Sequence, residues 1–120
     1  MWLNKRIASF KYAFKGLLTL VQTQPNFIIH LVAATIAIVI AFWLKLSTIE
    51  WSILILTIIL VLFAEAANSA LEFLTDLISP NHHPLAGKAK DVAAAAVLIT
   101  AIGAVAIGLL LFLPKLLAKF

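Results

Sequence analysis

The sequence predicts an all-α integral membrane protein, with an N-terminal amphipathic helix on the membrane surface and three transmembrane helices. Hydrophobic residues make up 64% of the 120 residues, well above the roughly 45–50% of soluble domains. Only 12% of the residues are charged. Three apolar stretches are long enough to cross a hydrocarbon core of about 30 Å. We expect residues 1–120 to form a single membrane domain.

The surface helix is predicted at residues 2–22, because apolar side chains recur there at spacings of three and four. The apolar face comprises Leu3, Ile7, Phe10, Phe14, Leu17, Leu18 and Val21. The polar face carries the basic residues Lys5, Arg6, Lys11 and Lys15. This combination is typical of a helix that lies on an anionic leaflet.

The first transmembrane helix is predicted at residues 26–44. Pro25 disfavours helical backbone at Gln24 but is well suited to the first turn of the next helix. The stretch is interrupted by few polar residues, among them His30 and Thr35. Alone on an apolar helix, His30 is interpreted as a hydrogen-bonded interior group and not as a metal ligand.

The second transmembrane helix is predicted at residues 48–78. Ser47 followed three residues later by Glu50 has the form of a capping box. A helix of this length extends about 46 Å, more than the hydrocarbon thickness of about 30 Å. Its C-terminal turns should therefore project from the bilayer, with Glu65 close to the boundary and Asp76 in the headgroup or aqueous zone.

The third transmembrane helix is predicted at residues 85–113, after a loop at 79–84 that contains two prolines. We expect Pro114 to end it, because proline interrupts the helical hydrogen bonds. Small residues on this helix, such as Gly103 and Gly108, permit close approach of neighbouring helices.

The basic residues predict the orientation. Six of the nine fall on one side of a three-span arrangement, and cytoplasmic segments carry the excess of Lys and Arg. These six are Lys5, Arg6, Lys11, Lys15, Lys88 and Lys90. The N-terminus, the 79–91 segment and the C-terminal part of the second span should therefore face the cytoplasm.

One polar stripe runs along the second span and carries the candidate chemistry. Five polar residues fall within an arc of about 100° on a helical wheel. They are Glu65, Asn68, Ser69, Glu72 and Asp76. Ionisable residues at membrane depth are costly and are functional candidates for that reason.

The residue types favour phosphoryl transfer. Carboxylates and an amide are suitable ligands for Mg²⁺, which usually also binds substrate phosphates, and lysines neutralise phosphate charge. A carboxylate held away from water is a plausible base for a lipid hydroxyl. The absence of cysteine excludes thiol catalysis and zinc thiolate sites, and adjacent His82 and His83 are poorly arranged to share one metal.

Two blocks and two N-terminal segments resemble the prokaryotic diacylglycerol kinase and undecaprenol kinase family. The first block is Glu65-x-x-Asn68-Ser69-Ala70-x-Glu72-x-x-x-Asp76, and the second, after His83, is Gly87-x-Ala89-Lys90-Asp91-x-Ala93-x-Ala95-Ala96-Val97-Leu98-Ile99. Tyr12-Ala13-Phe14-Lys15-Gly16 and Asn26-Phe27-x-x-His30 are also similar to the family. The resemblance covers nearly the whole chain.

The resemblance implies a homotrimer in the inner (cytoplasmic) membrane that uses ATP and Mg²⁺ to phosphorylate diacylglycerol, undecaprenol or another lipid alcohol. By position, Glu65 matches the catalytic base, Glu72 a carboxylate that binds the metal of the nucleotide, and Trp43 an aromatic residue at the lipid cleft. Asn68 and Asp76 match the surrounding polar site, and either Lys5 or Arg6 matches a basic contact to the nucleotide. Further nucleotide contacts match Tyr12, Asn81, His82, His83, Lys90 and Asp91.

Gln24 departs from the family pattern, which usually has a glutamate there that also serves the metal. An amide oxygen can bind Mg²⁺ but adds no negative charge. One alternative is therefore a catalytically weak or non-enzymatic member that binds nucleotide or lipid. Another is an ion pathway, because intramembrane acids mark those as well, although here the acids cluster on one side of the membrane.

Overall fold

The structure is a computed structural model that describes residues 1–120, and it confirms the all-helical fold. Four helices follow one another: α1 (Trp2–Thr23), α2 (Pro25–Leu44), α3 (Thr48–Ile78) and α4 (Pro84–Lys119). By length and composition, α2, α3 and α4 are each apolar enough to cross a membrane. The chain is therefore a multi-pass membrane protein.

Gln24 separates α1 from α2. Its extended backbone, with φ −118° and ψ 95°, caps both helices, and Pro25 occupies the first turn of α2. This break turns α1 away from the bundle, so that α1 buries only Leu20 within the chain. Its apolar face, which includes Phe10 and Phe14, is exposed, as expected for a helix on a membrane surface.

A tight turn joins α2 to α3 and fixes one end of the bundle. Lys45 ends α2 with left-handed backbone (φ 55°), and Ser47 and Glu50 form the predicted capping box of α3. Beside this turn lies the apolar core, which brings together residues of α2, the turn, α3 and α4. Its buried members are Ala41, Leu46, Leu54 and Leu111.

The expected end of the last helix was wrong: α4 continues through Pro114 to Lys119. A proline inside a helix removes one hydrogen bond, here to the carbonyl of Leu110, and usually costs about 3 kcal/mol. Contacts on both sides of the proline offset this cost. Leu111 is buried in the core, and the Lys115 Nζ lies 3.2 Å from the Glu50 Oε1.

Most of the apolar surface is left uncovered within one chain. Only 13 of 120 residues are buried, and the accessible surface is 8931 Å². A soluble protein of this mass exposes about 6,300 Å². The excess apolar surface is available to lipid or to other chains. Helix α3 contributes six of the buried residues, and three of those six are polar.

Candidate active site

Burial divides the polar stripe of α3 into a deep part and an outer part. Glu65 and Ser69 are each 1% exposed, and Asn68 is 8% exposed. Glu72 is half-buried, whereas Asp76 is exposed. The predicted gradient from the apolar region to the surface is therefore present within a single chain.

The deep part of the stripe contacts α2. The His30 Nε2 lies 3.6 Å from the Glu65 Oε2, which is buried and has no hydrogen-bond partner. His30 was predicted to be a hydrogen-bonded interior group, but its side chain has no hydrogen bond and instead lies beside Glu65, a contact that was not predicted. The contact could have been predicted from the order of the spans. Because α2 and α3 run antiparallel, the start of α2 lies at the same depth as the later turns of α3.

Two other residues of the stripe have different hydrogen bonds. The Asn68 Nδ2 donates to the Glu72 Oε1 over 3.3 Å, while the Asn68 Oδ1 is buried without a partner. The Ser69 hydroxyl donates to the main-chain oxygen of Glu65 at 2.9 Å. Asn68 therefore orients Glu72 and keeps a free acceptor, whereas the hydroxyl of Ser69 forms its hydrogen bond within its own helix.

The outer part of the stripe lies beside the loop between α3 and α4 and the first turns of α4. The Lys90 Nζ pairs with the Asp76 Oδ1 at the edge of a surface pocket of about 160 Å³. The pocket brings together four predicted nucleotide contacts, namely Asn81, His82, His83 and Lys90. The Nδ1 of His83 is occupied, because it accepts the main-chain N–H of Leu85 over 3.1 Å and caps α4.

Other predicted site residues lie apart from this cluster. Tyr12 on α1 and Asp91 on α4 are exposed. Gln24 lies at the α1–α2 break, where its Nε2 donates to the Thr23 hydroxyl at 3.2 Å. Trp43 lies at the opposite end of α2, about 20 Å along the helix from His30. There the Lys119 Nζ lies 4.8 Å from the centroid of the Trp43 ring.

The acidic residues do not form a metal cage within one chain. No group of three or more His, Cys, Asp or Glu side chains is close enough to hold a metal ion. Glu72 offers one carboxylate, and the unpaired Asn68 Oδ1 offers one amide oxygen close by. Such a set fits Mg²⁺ that arrives with substrate phosphates, since Mg²⁺ is commonly held by one or two carboxylates, phosphates and water.

Fold and site together define a multi-pass membrane protein in which a buried carboxylate, on Glu65, lies deeper than a polar surface pocket lined by Lys90 and Asp76. The family described as prokaryotic diacylglycerol kinase matches residues 11–112. The undecaprenol kinase of Bacillus subtilis is 44% identical over 114 residues, or 95% of this chain and 93% of the relative. The diacylglycerol kinase of Escherichia coli is 42% identical over 94 residues, or 78% of this chain and 77% of the relative.

A diacylglycerol kinase of Synechocystis is 43% identical over 113 residues, covering 93% of this chain and 65% of the relative. The chain therefore belongs to the prokaryotic diacylglycerol kinase family, as its motifs predicted. The prediction of a lipid kinase is confirmed by the same comparisons.

Proposed function

We propose that this protein transfers the γ-phosphate of ATP, with Mg²⁺, to the primary hydroxyl of a membrane lipid alcohol such as undecaprenol or diacylglycerol. The observation that carries the proposal is the position of Glu65. Glu65 is 1% exposed, and its carboxylate keeps one unpaired oxygen, at a depth that we expect a lipid hydroxyl to reach. A binding protein without catalysis is not favoured, because the related proteins are named as kinases.

Glu65 acts as the general base in this proposal. A carboxylate in a dry site accepts the proton of a lipid hydroxyl as the oxygen attacks the γ-phosphorus. The nearby apolar faces of α2, α3 and α4 offer a place for the lipid chains. Trp43, at the other end of α2, is then a contact for the chain ends and not for the hydroxyl.

Glu72 and the surface pocket bind the nucleotide in this proposal. Lys90 neutralises phosphate charge, and Asp76 holds its side chain towards the pocket. Asn81, His82, His83 and Asp91 contact the nucleotide from the loop and the start of α4, and Tyr12 and Gln24 do so from the α1 side. Glu72 would hold Mg²⁺, which would neutralise charge on the transferring phosphoryl group.

The proposed assembly is a homotrimer in the inner membrane, with the N-terminus and the active site on the cytoplasmic side. The distribution of Lys and Arg supports this orientation. The large uncovered apolar surface and the incomplete acidic set of one chain support a site that neighbouring chains help to complete. Lys5 or Arg6 on α1 adds a basic contact to the nucleotide.

The experiment is an ATP-dependent phosphorylation assay on purified protein in mixed micelles, with undecaprenol, diacylglycerol and a single-chain alcohol offered separately. We expect labelled phosphate in the lipid only with ATP, Mg²⁺ and an accepted alcohol. Glu65→Gln should lower turnover by about 10²–10⁴-fold, the usual contribution of a general base, while the helical content stays native.

Ser69→Ala is the matched control, because Ser69 is as buried as Glu65 but bonds only to its own helix. We expect this variant to keep the native turnover. Native turnover in Glu65→Gln would contradict the assignment of the base. Absence of phosphate transfer to every alcohol by the native protein would contradict the proposed function itself.

A further inference from the structure

The contact between His30 and Glu65 has a chemical consequence beyond packing. The two side chains are 20% and 2% exposed, and the Nε2–Oε2 distance of 3.6 Å is slightly longer than a hydrogen bond of about 2.7–3.2 Å. The His30 side chain makes no hydrogen bond within the chain, and neither does the Glu65 Oε2. Such contacts often tighten only when substrate binds.

A buried base needs a way to lose its proton. If Glu65 accepts the proton of the lipid hydroxyl, as proposed above, it must release that proton before the next turnover. Glu72 lies about 10 Å further along α3, and Lys90 is paired with Asp76. His30 is the titratable side chain in contact with Glu65, and it is the more exposed partner.

We propose that His30 is a positioning residue that orients the Glu65 carboxylate and takes up its proton after each transfer. The lipid O–H bond breaks, an O–P bond forms, and the P–O bond to ADP breaks with its electron pair on ADP. The proton moves to Glu65 and then from Oε2 to the unprotonated Nε2 of His30. His30 releases its Nδ1 proton to water and returns to the Nδ1–H tautomer by proton exchange with water before the next turnover. This inference rests on the proposed function.

The surroundings of His30 make the idea testable by chemical rescue. His30 lines a largely apolar cavity of about 350 Å³ between α2, α3 and α4, together with residues such as Ala34, Val61 and Phe112. The substitution His30→Ala should open a void that is continuous with this cavity. Free imidazole can then occupy the position of the lost ring beside Glu65.

The test measures lipid phosphorylation by the full chain in micelles, with and without added imidazole. We expect His30→Ala to lower kcat at least about tenfold, within the usual range for proton transfer, and to leave the KM for ATP unchanged. Imidazole should restore His30→Ala several-fold and leave Glu65→Gln inactive. His30→Gln keeps a polar group that cannot accept a proton at neutral pH, so it should stay slow.

Thr35→Val is the matched control, because Thr35 lies on the same helix and bonds only to the Leu31 carbonyl; it should keep the native kcat. Native kcat in His30→Ala, no rescue of that variant by imidazole, or native kcat in His30→Gln would each overturn the proton role. If His30→Ala does not fold, the kcat of His30→Gln decides alone. Failure of the native protein to phosphorylate lipid would instead contradict the proposed function.

Discussion

Both ends of the helical bundle contain an ion pair, but they differ in the hydrogen bonds of their polar side chains. The far end, defined by Ser47, Glu50 and Lys115, pairs its charges: the Glu50 Oε1 accepts the Ser47 main-chain N–H at 3.0 Å and contacts the Lys115 Nζ at 3.2 Å. The site end, defined by the polar stripe, His30 and the 79–91 segment, buries two oxygens without donors, on Glu65 and Asn68.

This difference separates residues that hold the fold from residues that carry chemistry. An unsatisfied buried polar atom costs about 1–3 kcal/mol, and native proteins contain few of them. The far end avoids this cost, while the site end bears it twice within one short stretch of α3. We therefore expect substitutions at the far end to change stability and substitutions at the site end to change turnover.

After Glu65→Gln, the largest effect should come from Glu72→Gln at the site end. The substitution removes the carboxylate that we propose holds Mg²⁺, so kcat/KM should fall by about 100-fold while helical content stays native. The measurement is lipid phosphorylation over a range of Mg²⁺ concentrations. Glu50→Gln is the control at the far end and should keep the native rate; a native rate in Glu72→Gln would remove that residue from the site.

Lys90→Met should have the next largest effect. It keeps the length of the side chain but removes the charge that we propose binds the phosphates, so the KM for ATP should rise about tenfold. Lys115→Met removes the corresponding ion pair at the far end and should leave this KM unchanged. Equal KM values for the native protein and Lys90→Met would place the phosphates elsewhere.

Gln24→Glu tests the site end by adding a negative charge, and it should strengthen metal binding instead of weakening it. A second anion near the nucleotide should strengthen metal binding, so the Mg²⁺ concentration at half-maximal activity should fall several-fold. Gln22→Glu is the matched control, because it adds the same charge to an exposed position of α1. The same Mg²⁺ dependence in both variants would show that residue 24 does not serve the metal.

The sequence alone predicted local features well, because they depend on neighbouring residues. The four helices, the break at Gln24 and the capping box of Ser47 and Glu50 all follow from short-range patterns. The end of α4 was mispredicted, because the contacts of Leu111 and Lys115 with distant residues outweigh Pro114.

The site was predictable in its residue types but only partly in its contacts. The stripe on α3 follows from the helical period, so the common face of Glu65, Asn68 and Glu72 needed no structure. The contact of His30 with Glu65 and the distance of Trp43 from it depend on how α2 packs on α3. A single sequence gives no direct measure of that packing.

Ser47→Ala should have the smallest effect and tests the far end alone. The substitution removes the hydroxyl that accepts the Glu50 main-chain N–H at 3.2 Å, and loss of such a helix cap costs about 1 kcal/mol. Denaturant titration of the purified protein should show this loss, while kcat per folded molecule stays native. Ser52→Ala is the control, since its hydroxyl bonds only to the Thr48 carbonyl of the same helix. Its removal should change the free energy of unfolding by less than about 0.5 kcal/mol.

A fall in kcat that parallels the loss of stability in Ser47→Ala would contradict the division between residues that hold the fold and residues that carry chemistry. It would mean that the two ends of the bundle are coupled through α3.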